Sequence, residues 1–410
     1  MDKIPGLAPR RAALTLLDAV LRRGQPLESA LGQATRGLDK PEDRALARAI
    51  ASETLRHLPD LDALIDSATR QNLPDDAKAR MVLRLALAQA LVLETPEHAA
   101  VATALPLVDG GPRRLVHGVL GTLLRQKAAL PAIPALPDAV RMRWSPELAS
   151  LAGAAMIEPA VIDLTLRDAG NTSLWVERLG GESLMPGHVR IARGPAIAEL
   201  PGYDEGAWWV QNIAASLPAR LLGPGEGRTV LDLCAAPGGK TMQLAAAGWA
   251  VTALDQDRAR LVRLEDNLAR TGLSARLVTA DLMRWEPPEL VPAILLDAPC
   301  TATGIFTRHP DVLYRVRPRD IAQLAELQTA MIARVATWLQ PGGTLIYATC
   351  SLERQEGEDQ VAAAEASGLR LSGIEPQEVG SGIPPDPKGW VRVLPLNHAD
   401  GFFIARFKRP

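Results

Sequence analysis

The stretch Thr229–Thr241, TVLDLCAAPGGKT, constrains the fold of this chain more than any other. Val230, Leu231 and Leu233 are apolar and β-prone, and they run into small residues, a proline and two adjacent glycines before a helix-like run, KTMQLAAAG. Strand, tight glycine loop and helix, in that order, open a unit of an α/β sheet. Gly238 and Gly239 carry no Cβ, so a ligand can approach the backbone there. The free N–H groups of the helix start point at whatever sits above them. The tail GGKT has the look of a P-loop, but the first glycine of that motif would fall on Cys234, so the phosphate cradle has no beginning. G-x-G-x-x-G is absent too, which leaves a loop suited to a nucleoside-like cofactor with a carboxylate tail. A plain strand–helix turn is the alternative.

The rest of the second half repeats the pattern. Strands are expected at 229–234, 250–255, 276–280, 293–298 and 344–349, and helices near 240–247, 257–271, 319–339 and 354–367. Two further apolar runs follow at 391–394 and 402–407. Such alternation predicts an α/β fold with a doubly wound, mostly parallel, Rossmann-like sheet over residues 205–410. Residues 1–130 read instead as an all-helical domain, with helices over 10–23, 43–56 and 77–93, the last nearly all apolar and therefore central. The arginines of that region read as a solvated face, with RNA contact as the alternative. Residues 131–204 form a proline-rich linker, LPAIPALP, and a small α+β segment, with a helix starting at Trp144-Ser145-Pro146 and a strand over 161–167.

A chain of 410 residues has room for two or three domains. It shows no apolar run long enough to span a bilayer and no apolar leader, so a cytoplasmic protein without a membrane segment is expected. Three cysteines without C-x-x-C spacing favour buried or reactive thiols over disulfides or zinc, and the six histidines are scattered, so no metal is expected. A net charge of −2 confines any nucleic-acid surface to a local patch.

The informative residues gather at the carboxyl ends of the strands, the edge where ligands bind in such sheets. Asp255, Asp281 and Asp297 each close a strand. An acid after the second strand suits ribose hydroxyls, and one after the third can reach an adenine amino group; a helix cap is the alternative for each. Together with the glycine loop they favour S-adenosylmethionine. Cys300 and Cys350 each lie one step past a strand end, and if those strands are neighbours at about 5 Å the two thiols share a cleft. The chemistry that fits is methylation of cytosine C5: a thiolate adding to C6 makes C5 enamine-like. Asp297 can then hold the ring, and Lys240 can act as a positioning or electrostatic group.

These stretches resemble the RNA (cytosine-5) methyltransferases. The resemblance rests on LDLCAAPGGKT (231–241), ALDQD (253–257), TADL (279–282), LLDAPCTATGIFTRHPD (295–311), YATCSLERQEGEDQV (347–361) and HADGFFIARFKR (398–409). It implies Cys350, in TC, as nucleophile and Cys300, in PC, as the thiol that helps break down the covalent adduct. It implies cofactor contacts from Cys234, Ala235, Ala236, Pro237, Gly238, Gly239 and Lys240, and from Asp255, Asp281 and Asp297. The family commonly has DAPCSGTG where this chain has DAPCTATG, so Thr301 and Ala302 stand in place of Ser and Gly and put the loop's shape in question. The helical N-terminus is similar to the NusB-like RNA-binding domain fused to bacterial 16S rRNA cytosine-5 methyltransferases. The implied partner is RNA, 16S rRNA first, acted on by a monomer. Arg308 and Arg315 to Arg319 are candidates for phosphate contact. A tRNA methyltransferase, a non-catalytic ribosome-assembly factor and an antitermination scaffold are the other readings.

Overall fold

Among the described residues of the computed structural model, eight strands form one mostly parallel sheet, the doubly wound type that the sequence predicts. The structure describes residues 4–158, 161–194, 196–380 and 382–410. Two compact units emerge: one holds residues up to Ile157 together with Phe306–Val316, the other Glu158–Ile305 and Arg317–Pro410.

The first unit is helical, with helices that include Leu7–Leu21, Pro41–Arg56, Leu58–Ser67, Lys78–Leu91 and Gly110–Arg125. Every residue from Ala79 to Gln89 of the Lys78–Leu91 helix is buried, as its apolar run requires. Arg80 and Arg84 of that helix depart from the expected solvated face. Both are buried, at 2% and 3% exposure. Asp62 pairs with Arg80 at 2.9 Å and with Arg84 at 2.7 Å, and Asp66 also binds Arg80. A buried guanidinium is tolerated only when it is paired in this way. The segment Phe306–Val316 packs into this unit: Tyr314 donates to the Leu55 carbonyl at 2.7 Å, and Asp311 accepts from the Leu27 N–H at 3.3 Å.

The second unit begins with a three-stranded antiparallel sheet of β1 (Val161–Leu166), β2 (His188–Ala192) and β3 (Trp208–Val210), in the order β2-β1-β3. Asp163 on β1 is its polar anchor. It accepts from Arg190 at 2.7 and 3.0 Å and from the Ile213 N–H at 3.0 Å, and it pairs with His188 at 3.2 Å. Burial alone would raise its pKa, but these hydrogen bonds and the Arg190 charge bring it down to about 2. Arg190 also donates to the Asn397 carbonyl, which ties the small sheet to the loop before the last strand.

The main sheet comprises β4 (Thr229–Leu233), β5 (Ala250–Asp255), β6 (Arg276–Thr279), β7 (Val291–Asp297), β8 (Leu339–Thr349), β9 (Arg370–Leu371), β10 (Val391–Val393) and β11 (Phe402–Lys408). Its order is β10-β11-β8-β7-β4-β5-β6, with β9 pairing β11. β4 to β8 run parallel, and β11 lies antiparallel to β8. The chain moves outward from β4 through β5 to β6, then returns to place β7 on the other side of β4. That reversal is a topological switch point, where open α/β sheets bind ligands.

Two expectations need correction. β8 starts at Leu339, not 344. Pro341-Gly342-Gly343 reads as a turn, yet the irregularity is absorbed as a register shift, and Leu339 still pairs with Val291. The helix expected over 354–367 is broken into a 3₁₀ turn, Arg354–Glu356, and a helix, Asp359–Ala366. Gly357 separates them at φ −123°, ψ −98°, packed so closely that a Cβ would lie 2.3 Å from Arg392 and 2.9 Å from Phe403. This break turns Glu356 inward.

Candidate active site

The loop after β4 is shaped by its own backbone. Cys234 has φ +61°, Ala236-Pro237 is cis, and Gly238 has φ +106°. A Cβ on Gly238 would lie 2.0 Å from Leu264, so both the conformation and the space demand glycine. The helix Gly239–Ala246 that follows has no side-chain cap, which leaves its first N–H groups for a ligand. The Cys234 thiol is partly buried, and desolvation pushes its pKa up to about 12, so it stays neutral.

Asp255 is buried and accepts from the Ala236 N–H at 3.1 Å and the Asp257 N–H at 2.9 Å, so it fixes the loop from the next strand. The cap of the following helix is Asp257, which accepts from the Ala259 and Arg260 N–H groups. Asp281, two residues past β6, accepts from the Met283 N–H and is half exposed, leaving lone pairs for an amino group. Asp297 ends β7, and Lys240 reaches it across the switch point at 2.8 Å. Burial lowers the pKa of the Lys240 ammonium, but Asp297, the Cys350 sulfur and Asp232 more than offset it, so the group stands above its ordinary value and stays charged. The ring of Phe402 lies 5.2 Å from the same ammonium. A cavity of about 340 Å³ opens here, lined by Ala235, Ala236, Pro237, Gly239, Lys240 and Asp297 among others. Asp297 is the one of the three expected acids that lines this cavity; Asp255, with both oxygens engaged by backbone N–H groups, and Asp281 do not line it.

β7 and β8 are parallel neighbours, with Asp297 opposite Ala348, and the Ala298 N–H bonds the Ala348 carbonyl at 2.9 Å. The two residues that follow those strand ends meet: Cys300 Sγ lies 3.5 Å from Cys350 Sγ. The Cys300 thiol is held well above its ordinary range by its hydrogen bond to Cys350, by burial, and by the charges of Cys350 and Glu356. Lys240 is within electrostatic reach of the Cys350 sulfur. The two thiols therefore sit in different surroundings. Gly304 packs tightly between the Cys350 loop and Gly401. Its N–H bonds the Cys350 carbonyl at 2.9 Å, its carbonyl accepts from the Gly401 N–H at 2.9 Å, and a Cβ on it would lie 2.0 Å from the Gly401 oxygen.

Ala302 adopts φ +56°, the left-handed conformation that glycine takes without penalty. That is the physical content of the departure from the family's usual loop: the fold keeps the turn and pays about 1–2 kcal/mol for it. Of the candidate phosphate contacts, Arg315 pairs with Asp311 at 3.0 Å and Arg319 lies 3.6 Å from Asp320.

Two acids escape sequence reasoning. Asp232 on β4 is fully buried and accepts from Thr241, while its other oxygen has no partner among the described residues; burial raises its pKa to about 7. Glu356 is also fully buried and accepts from Thr301, Ser351 and Gln328. Its only sequence signal is its place six residues after Cys350 and immediately before a glycine.

The strand order, the glycine loop and the acids at the switch point define an S-adenosylmethionine-dependent methyltransferase. Residues 219–408 match the family described as 16S rRNA methyltransferase RsmB/F, and residues 7–125 match the NusB family. The chain is 33% identical to the ribosomal RNA small subunit methyltransferase B of Xylella fastidiosa (strain Temecula1 / ATCC 700964), covering 98% of each. It is 31% identical to the protein of that name from Vibrio vulnificus (strain YJ016), covering 97% of this chain and 98% of the other. The chain belongs to the RsmB/F family of methyltransferases. Among solved structures, PH0851 shares the fold with a TM-score of 0.74 at 22% identity, covering 99% of both chains. The structure of NSun6 from Pyrococcus horikoshii with SFG has a TM-score of 0.59 at 21% identity, covering 67% of this chain and 98% of that one. Among the described residues no helix is long and apolar enough to cross a membrane.

Proposed function

We propose that this protein methylates C5 of a cytosine in 16S rRNA through a transient covalent bond between Cys350 and C6 of the base. The observation that carries this reading is the pair of thiols 3.5 Å apart, one strand over from the Lys240–Asp297 ion pair at 2.8 Å. A methyltransferase acting on oxygen or nitrogen has no need of two cysteines at the strand edge; a poor carbon nucleophile does.

S-adenosylmethionine supplies a methyl group on a sulfonium. The Cys350 thiolate adds to C6, and the electron pair of the C5–C6 double bond becomes available at C5 for the methyl. Asp297 holds the N3 and amino edge as charge shifts there, and Lys240 keeps Asp297 and the Cys350 sulfur in a cationic field. Cys300, ionised once Cys350 is engaged, takes the proton from C5. The C5–C6 double bond re-forms, and the C–S electron pair returns to Cys350. The net products are 5-methylcytosine, S-adenosylhomocysteine and one proton to solvent.

A stacked cytosine is out of reach of Cys350, so the target is a single-stranded or extruded base. The helical N-terminal domain (1–130) and the segment 131–204 serve to hold the RNA through its backbone. The names of the relatives carry the choice of ribosomal RNA. The test is transfer of labelled methyl to total RNA from cells lacking the protein, followed by mapping of the product. Label at C5 of a 16S rRNA cytosine is the expected result. Label in tRNA keeps the chemistry and overturns the substrate; no label in any RNA, with the cofactor still bound, turns the protein into a binding factor.

A further inference from the structure

Thr301 follows Cys300 and Ser351 follows Cys350, and one buried carboxylate holds both. Glu356 Oε1 accepts from the Thr301 N–H at 2.9 Å and from Gln328 Nε2 at 3.1 Å. Glu356 Oε2 accepts from the Ser351 hydroxyl at 2.5 Å and from the Thr301 hydroxyl. The Glu356 carbonyl accepts from the Tyr347 hydroxyl at 2.8 Å and from Thr349 at 3.1 Å, so the residue is also pinned to β8. Around it, Ser351 accepts from the Glu353 N–H, and Thr303 accepts from the Leu352 N–H. Burial raises the pKa of this carboxyl, and the hydrogen bonds from Ser351, Thr301 and Gln328 pull against that rise; four donors on two oxygens match the acceptor capacity of a carboxylate. A fully buried charge with this many donors from three elements does not solvate a surface.

We propose that Glu356 is a positioning residue that fixes the two cysteine loops in one frame and whose charge keeps the proton on Cys300 until Cys350 has bonded to the base. The inference rests on the covalent reading above and adds to it an order of events. While Cys350 is a free thiolate, Cys300 has a hydrogen-bond acceptor 3.5 Å away and two negative neighbours, Cys350 and Glu356. When the Cys350 electron pair goes into the C–S bond, that acceptor and one of those charges vanish together. Cys300 then releases its proton to solvent and can take the one from C5. When the adduct collapses, the Cys350 thiolate returns beside a protonated Cys300, which is the starting state. The remaining titratable groups around Cys300 are Tyr347 on β8, buried and held well above its ordinary range, and the Lys240–Asp297 pair. Arg392 binds the Ser351 carbonyl and pairs with Glu358 at 2.6 Å, so its charge is already balanced.

The experiment is iodoacetamide labelling of the full-length protein as a function of pH, with Cys300 and Cys350 read separately by mass spectrometry, alongside steady-state methyl transfer. In Cys350→Ala the midpoint for Cys300 labelling moves to lower pH than in wild type. Adding Glu356→Gln, which is isosteric, moves it lower again. Thr301→Val keeps the charge and removes one arm of the clamp; it lowers kcat more than it raises KM and leaves the midpoint where it was. An unmoved midpoint in folded Glu356→Gln, or an equal move in Thr301→Val, overturns the proposal. Should Glu356→Gln fail to fold, Glu356→Asp, which keeps the charge but shortens the clamp, takes its place: kcat falls with the Cys300 midpoint held, and wild-type kcat overturns the proposal. The labelling needs no RNA. A shifted midpoint without cytosine methylation leaves the clamp and its hold on the Cys300 proton standing and removes the covalent reading with the order of events built on it; methylation with an unmoved midpoint keeps the covalent reading and overturns the role of Glu356.

Discussion

Lys240, on the helix after β4, reaches Asp297, at the end of β7, with 2.8 Å between ammonium and carboxylate. One residue follows β4 and the other ends β7, so the ion pair bridges the two strands at the switch point. Its ammonium is also within electrostatic reach of the Cys350 sulfur.

Replacing Lys240 tests that reach. Lys240→Met removes the cation beside Cys350 and leaves Asp297 without its partner. We expect Cys350 to be alkylated more slowly at neutral pH, and kcat to fall by about 10²–10³, the usual cost of removing one aimed electrostatic group. Because Lys240 also lines the cavity, affinity for S-adenosylmethionine should fall as well. Iodoacetamide labelling, methyl-transfer kinetics and calorimetric titration read the three quantities. Undiminished Cys350 reactivity would remove Lys240 from the account.

The loop around Ala302 carries strain that a single substitution relieves. Ala302→Gly gains the penalty of a non-glycine residue at φ +56°, about 1–2 kcal/mol. It loses about 0.4–1 kcal/mol through the freer unfolded chain. The balance favours the variant, and thermal unfolding should show a rise in Tm of a few degrees, at about 2–4 °C per kcal/mol. A lower Tm would mean that the methyl group contributes packing that outweighs the strain.

Asp232 makes stability depend on pH. Its pKa in the fold is about 7, against an ordinary value of 3.8, because it is fully buried. A raised pKa favours the folded state most where the group is protonated in both states. The contribution is therefore complete below about pH 3.8 and disappears as pH rises through about 7. Asp232→Asn keeps an acceptor for Thr241 and cannot ionise. Between pH 5 and 8 the wild-type Tm should fall more than the variant's, and parallel curves would contradict the shift.

Much of this architecture is written in local sequence. Each parallel strand is a short β-prone run, and Asp255 and Asp297 end theirs because the chain turns from sheet to loop at a polar residue. The approach of Cys300 and Cys350 follows from two such runs being parallel neighbours with matched ends. What escaped is long-range. Glu356 lies in a run that reads as continuous helix and would place it on a surface; only Gly357, wedged against Arg392 and Phe403, turns it inward. Arg80 and Arg84 look like solvent-facing charges until Asp62 and Asp66 arrive from another helix. Phe306–Val316 has no local mark that it packs with helices more than two hundred residues earlier, through contacts such as Tyr314 with Leu55.

The most direct test of the central claim is the covalent adduct itself. Cys300→Ala and Cys350→Ala proteins are incubated with S-adenosylmethionine and 16S rRNA from cells lacking the protein, denatured, and resolved on a gel for RNA-linked protein. The account predicts an adduct that accumulates with Cys300→Ala, because Cys350 can still add to C6 while the group that takes the C5 proton is gone. It predicts none with Cys350→Ala or with the double variant. An adduct that accumulates with Cys350→Ala and is absent with Cys300→Ala would reverse the roles of the two thiols and contradict the account.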